Sequence, residues 1–191
     1  MNIYPYGSRI YGTNTPDSDH DFIVIGDMEE QVDCGPVTFN CFTYDQWQEK
    51  LWNHEPKPLE CHFLPKENVV AQTYDFNWKL DLVKLRHAFS RQASISWVKC
   101  KKKIQDEEIY IGIKSMFHSL RILNFGIQIA SEGRIYDYQQ ANPYWETIND
   151  KWAAWRMYGT ESEELWNSLH LHFKPEYNRL CTEFKKLAPK E

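Results

Sequence analysis

No run of about 18 apolar residues occurs in this chain of 191 residues, so the sequence offers no candidate for a membrane-spanning helix. The opening residues, MNIYPYGSR, lack the apolar stretch of a signal peptide. The five cysteines include no CxxC pair and are odd in number. That argues against a disulfide framework and fits reduced thiols in a cytoplasmic setting. There is no internal repeat and no low-complexity tract. An excess of positive charge is also missing. With 22 Lys and Arg against 27 Asp and Glu, the net charge is −5, so any polyanion would need a local basic patch. What the chain does have is 42% hydrophobic residues, with 8 Trp, 11 Tyr and 10 Phe. This is enough for a sizeable core, built as one domain or two small ones.

The most informative stretch is GSRIYGTNTPDSDHDFIVI, Gly7 to Ile25. Asp19 and Asp21 stand two apart and lead into the apolar run Phe22–Ile25. In a strand, residues two apart share a face, so the two carboxylates project together. Such a pair repels itself unless a cation neutralises it. Hard oxygen ligands suit Mg²⁺ or Mn²⁺, which complete their shells with substrate phosphates. Upstream, Gly7 permits close approach of backbone to a phosphate, Ser8 supplies a hydroxyl, and Arg9 a fork-shaped cation. A phosphate cradle beside a metal-binding pair is the outline of a nucleotide site. On residues alone, the alternative is a polar turn entering a strand.

Around this stretch, residues 2–6 read as a short strand, 27–33 as an acidic loop and Val37–Thr43 as a second strand. A helix is expected over Asp45–His54, capped by Thr43 or Asp45 and ended by Pro56 and Pro58. Beyond Tyr74 no further strand is expected and the pattern turns helical. Helices are read at Asn77–Phe89, Ala93–Ile104, Ile109–Glu132 (with Gly133 as its C-cap), Asn142–Met157, Glu161–Phe173 and Pro175–Leu187. Lys99 and Lys101–Lys103 form either a solvated helix end or a basic patch for a triphosphate or polynucleotide. Lys114, His118 and Arg121 recur at spacings of four and three beside an apolar helical face. Trp145, Trp152 and Trp166 read as core fillers. Cys61–His62 has no partner pair for zinc, and His170 and His172 read as surface.

The string GSRIYGTNTPDSDHD resembles the active-site motif of the DNA polymerase β-like nucleotidyltransferase superfamily, above all its small members with Gly-Ser-Arg, a Tyr-Gly pair and Ser-Asp-x-Asp. His20 replaces the apolar residue common between the two acids. Leu59–Leu64 resembles a further segment of the family. GIKSMFHSLRILNFGIQIASEGRI resembles its second-domain helix, which implies that Lys114, His118 and Arg121 contact the nucleotide together with Gly7, Ser8 and Arg9. The resemblance implies an α+β protein. Residues 1–73 would form a small mixed β-sheet nucleotidyltransferase core, and residues 74–188 a helical substrate-binding domain, with the site in the cleft between them. Asp19 and Asp21 would be catalytic and would hold Mg²⁺ or Mn²⁺. The family carries a third carboxylate on the next strand. Thr38 stands in its place here and Asn40 shares that face, which leaves Glu60 or Asp33 as substitutes, Glu60 being taken as the metal ligand.

The activity so implied is transfer of a nucleoside monophosphate from a nucleoside triphosphate such as ATP to a hydroxyl of RNA, a protein or a small molecule. Two other readings stand beside it. One is a nucleotide-binding module weakened in catalysis by the absent acid. The other is a helical interaction protein.

Overall fold

The alternating residues of the first strands set the architecture. In the computed structural model, which describes residues 1–27 and 30–190, Asn2–Tyr6 forms β1 and His20–Gly26 forms β2. Glu30–Asp33 forms β3, Val37–Thr43 forms β4 and Ala71–Gln72 forms β5. They make one sheet in the order β3-β4-β2-β1-β5. β2 and β4 run parallel and the other neighbours antiparallel, so the sheet is mixed. Ile23 and Ile25 are fully buried on one face, beneath helices that bring Trp47, Cys61 and Leu64 into the same cluster. On the opposite face Phe22 stacks on Phe39 with centroids 5.6 Å apart and stays half-buried.

Among the described residues, six helices, one α-helical turn and a 3-10 turn at Lys66–Asn68 complete the fold. The single turn Ser8–Tyr11, α1, joins β1 to the loop before β2. Tyr44–Trp52 is α2, and Thr43 and Gln46 close a reciprocal capping box at its start. Pro56–His62 is α3. The prolines expected to end one helix also begin the next, because proline is tolerated where no amide donor is needed. The acidic segment expected as a loop contributes β3, whose Val32 pairs with Phe39. Met28 and Glu29 of that segment lie outside the described residues.

The helical half departs from expectation in length rather than in kind. The two helices read at residues 77–89 and 93–104 are one continuous helix, Leu82–Gln105, α4, which begins five residues later than expected because Asp81 caps it through the Val83 and Lys84 amides. Ser90-Arg91-Gln92 contains no breaker, and Leu85, Phe89, Ala93, Cys100 and Ile104 form an unbroken buried stripe. Ile109–Glu132 is α5, closed by Gly133 in the left-handed conformation, φ 73°. Asn142–Tyr158 is α6. The two helices read at the C-terminus are one, Ser162–Leu187, α7, with Pro175 inside it. The buried face of Leu165, Leu169, Phe173, Leu180 and Phe184 runs through the proline and outweighs its lost hydrogen bond. Gly112 lets α5 approach α4 closely, since a Cβ there would lie 2.6 Å from Ile104 Cγ1 and 3.2 Å from the Cys100 carbonyl. The protein is therefore α+β, a sheet core followed by a helical region. No described helix is long and apolar enough to cross a membrane.

One buried ion pair crosses between the halves. Arg121 Nη1 of α5 lies 3.0 Å from Glu60 Oε2 of α3, and both side chains are 2% exposed. The Tyr11 hydroxyl donates to the same carboxylate oxygen, and Tyr11's ring lies 3.6 Å from the guanidinium. The Tyr138 hydroxyl donates to the Glu60 backbone carbonyl at 2.5 Å. Two charges out of water hold each other in place, and removing one strands the other. We expect Arg121→Met to lower unfolding free energy by about 3–5 kcal/mol. Combining it with Glu60→Gln should cost clearly less than the sum of the single changes, as read from denaturant midpoints.

Candidate functional site

Four chain segments meet at a cleft of ≈ 390 Å³ beside the C-terminal side of β1. Ser8 comes from α1, Asp19 and Asp21 from the loop and first residues of β2, Lys114 and Tyr110 from the first turns of α5, and Trp152 from α6. Both acids line this cleft, Asp21 from β2 and Asp19 from the loop just before it rather than from the strand as expected. Asp21 opposes Tyr6 of β1 on one side and Thr38 of β4 on the other.

Local structure explains the placement of each acid. Gly7 has φ 81°, and a Cβ on it would sit 2.3 Å from Asp21 Oδ2. The residue before Ser8 must therefore lack a side chain for Asp21 to occupy its position. Arg9 turns back onto the loop. Its Nη2 donates to the Ser18 carbonyl at 2.6 Å and its Nε to the Asp19 carbonyl at 3.3 Å. Thr15's amide meets Ser18 Oγ at 2.8 Å. Arg9, expected to grip phosphate, is thus a clasp on the backbone that carries Asp19.

Burial pushes the Asp21 carboxyl above its ordinary range, and neighbouring Asp19 pushes it further, while Lys114 and Lys57 pull the other way. An incompletely neutralised carboxylate pair is what a divalent cation relieves. Asp17 also lines the cleft, but among the described residues no three His, Cys, Asp or Glu side chains are grouped to hold a metal ion by themselves. The donor set therefore fits a hard cation that draws its remaining ligands from water and phosphate oxygen.

The other expected site residues are placed as follows. Glu60 is not part of the acid pair, since its carboxylate is taken up by Arg121 and Tyr11. Arg121 is in the core and not at the cleft with Asp19 and Asp21. The reason is the same for both: each charge needs the other to be buried. His118 is half-buried, with Nδ1 3.1 Å from Arg121 Nη2. Burial, then Arg121, Lys114 and Lys99, push its imidazole well below the ordinary range. It lines a second cavity next to the cleft. Asp33 opposes Thr38 and shares the face of Asp21, but stands two strands away, roughly 10 Å at ordinary strand spacing. Thr38 itself occupies the position facing Asp21, as expected from the sequence.

Thr15, Asp17, Ser18, Tyr110 and Trp152 also line the cleft without having been expected there. Tyr110 and Trp152 lie with ring centroids 5.9 Å apart, and Lys114 Nζ sits 5.0 Å from the Tyr110 ring. Trp152 was expected in the core. The 42% exposure of Tyr110 and its place one turn before Lys114 on the same helix face were the available signal.

Two outcomes check this geometry. Gly7→Ala should destabilise the fold by about 1–3 kcal/mol from the backbone alone, since φ 81° and ψ −156° lie in a region open essentially to glycine, and should weaken any divalent-cation shift in melting temperature, because the methyl displaces Asp21. Asp21 has a raised pKa in the fold, so in metal-free buffer its ionisation opposes folding above that pKa and ceases to do so as pH falls through it. Asp21→Asn should therefore melt at or above the wild-type temperature near neutral pH, with the advantage shrinking as pH drops into the ordinary carboxylate range.

No protein-family model matches the chain, and no curated protein matches it in sequence.

Proposed function

We propose that the chain is a metal-dependent nucleotidyltransferase that moves a nucleoside monophosphate from a nucleoside triphosphate to a hydroxyl acceptor. The observation that carries this reading is the convergence of Ser8, Asp19, Asp21 and Lys114 on one cleft, with an aromatic pair beside them. An interaction protein has no need of two adjacent acids facing a lysine across a cavity. The residues are also those that the likeness to polymerase β-like enzymes points to.

Each residue has a distinct task. Asp19 and Asp21 would hold a Mg²⁺ or Mn²⁺ ion, which would supply Lewis-acid stabilisation of the attacking and leaving oxygens. Ser8 donates its hydroxyl to a terminal phosphate beside the Gly7 backbone. Lys114 faces the acids from α5 and balances phosphate charge. Tyr110 and Trp152 offer ring faces to a base. The acceptor oxygen forms a bond to the α-phosphorus, the bond from that phosphorus to the bridging oxygen breaks, and pyrophosphate leaves. The hydroxyl proton passes to solvent, since Thr38 stands where a base would be.

That position favours a second reading, a module that binds a nucleotide and transfers nothing. Incubation with α-labelled ATP, CTP, GTP or UTP and Mg²⁺ or Mn²⁺ separates the two. Transfer of label lost in Asp19→Asn supports the enzyme, with a fall of at least about 100-fold expected for removal of a metal ligand. Tight nucleotide binding without transfer supports the module. Lys114→Ala should weaken triphosphate binding by about tenfold or more, whereas Arg121→Lys should act on stability alone.

A further inference from the structure

The helix α4 is unlike the rest of the chain in charge. Over Leu82–Gln105 it carries Lys84, Arg86, Arg91, Lys99 and Lys101–Lys103 and no Asp or Glu, although the whole chain has a net charge of −5. An ordinary solvated helix mixes both signs to gain i,i+4 pairs. Part of this charge is aligned. Lys84, Ala88, Arg91, Ile95 and Lys99 follow at helical spacing, and they line two adjoining cavities of ≈ 690 and ≈ 540 Å³ between α4 and α3. The two share Glu55, Pro56, Gln92 and Ile95, so they form one groove. From Lys84 to Lys99 it runs along 15 residues of helix, roughly 22 Å.

The groove leads to the acid pair. Its inner end is lined by Tyr6 and Lys57. Tyr6 is the cross-strand partner of Asp21, and Lys57 lies near enough to pull on the Asp21 carboxyl. Within the groove Glu60 is neutralised by Arg121 and Glu55 by Lys50 at 3.3 Å. Among the described residues Arg91 and Lys99 have no ion-pair partner, and both are exposed. Ile95, 48% exposed, and Val83, also 48% exposed, add apolar ledges between the cations. Cations in a row with apolar surface between them match a strand that alternates phosphates and bases.

We infer that this groove binds a single-stranded polynucleotide and delivers its terminal hydroxyl to the cleft at Asp21. The acceptor in the proposed transfer is then a nucleic acid strand rather than a small molecule, which would leave most of a groove about 22 Å long unused. The inference rests on the proposed transfer only for which end of the strand reaches the acids. Strand binding itself stands apart from it.

The test is fluorescence anisotropy of the full chain with a labelled single-stranded oligouridylate of about 12 nucleotides and its deoxy counterpart, at about 50 and 200 mM salt. Wild-type binding should weaken steeply with salt for one or both oligomers. The double variant Arg91→Glu/Lys99→Glu should bind at least about tenfold more weakly, with a salt slope shallower by about two. Its melting temperature and its affinity for a fluorescent nucleoside triphosphate with Mn²⁺ should be unchanged. The single variant Lys99→Gln is the fallback if the double variant melts early, and should weaken binding about threefold or more with a slope shallower by about one. Unaltered oligomer binding in a folded variant overturns the inference. So does salt-insensitive wild-type binding, or competition by polyglutamate as effective as by the unlabelled oligomer. Because nucleotide affinity is read separately, loss of strand binding and failure of the triphosphate site are told apart.

Discussion

The cleft exists because a buried charge on α3 and a buried charge on α5 hold each other. Glu60 and Arg121 are both removed from water, and neither would be tolerated there alone. Tyr11 and Tyr138 complete the arrangement from α1 and from the loop after α5. Arg121 lies two turns along α5 from Lys114. Fixing the arginine against the sheet half therefore also fixes where the lysine ends up, across from Asp19 and Asp21. The arginine acts through geometry, on a residue it does not touch. Tyr11 couples the same lock to the segment that carries Ser8, since its helical turn spans only four residues.

Much of this was legible from residue order. The strands β1, β2 and β4 stand close to where they were read, and in β2 a slip by one residue would move Ile23 and Ile25 off the buried face. Asp21 lies within β2, whereas Asp19 stands just before it in the loop. Gly133 marked the end of α5. The joined helices were harder, since boundaries between helices are written in breakers, and a polar Ser-Arg-Gln segment or a single proline does not oblige a chain to turn when the apolar stripe continues beneath it. Glu60 and Arg121 were misjudged as site residues for a physical reason. Each was weighed by its own chemistry, as a ligand and as a phosphate contact. Each also sits in an apolar neighbourhood, Leu59 and Cys61 for one, Leu120 and Ile122 for the other. Two opposite charges in apolar surroundings are natural partners for each other, though nothing in the sequence gives the fold that unites them. Arg9 shows a related limit, because whether a guanidinium faces a ligand or a nearby carbonyl is decided by loop curvature.

The electrostatic layout separates two kinds of cation. Arg121 is spent internally on Glu60. Lys57 and Lys114 bear on Asp21 at the cleft, Lys99 bears on His118 in the groove, and among the described residues none of the three has an ion-pair partner. Burial and these cations hold the His118 imidazole well below its ordinary range, so the positive potential at the junction of cleft and groove comes from the lysines. Metal-ion binding at the acids would set a positive centre against this lysine-rich wall, an arrangement that suits a ligand carrying several negative charges.

The contact between Gly7 and Asp21 makes the two positions epistatic. While the carboxylate stands where it does, no side chain fits at residue 7. Were residue 21 shortened first, a methyl at residue 7 would find space and would meet only the backbone penalty of its positive φ. Substitutions at the two sites are thus tolerated in one order and not in the other, and a lineage that drifted away from metal chemistry would lose the acid before it could lose the glycine.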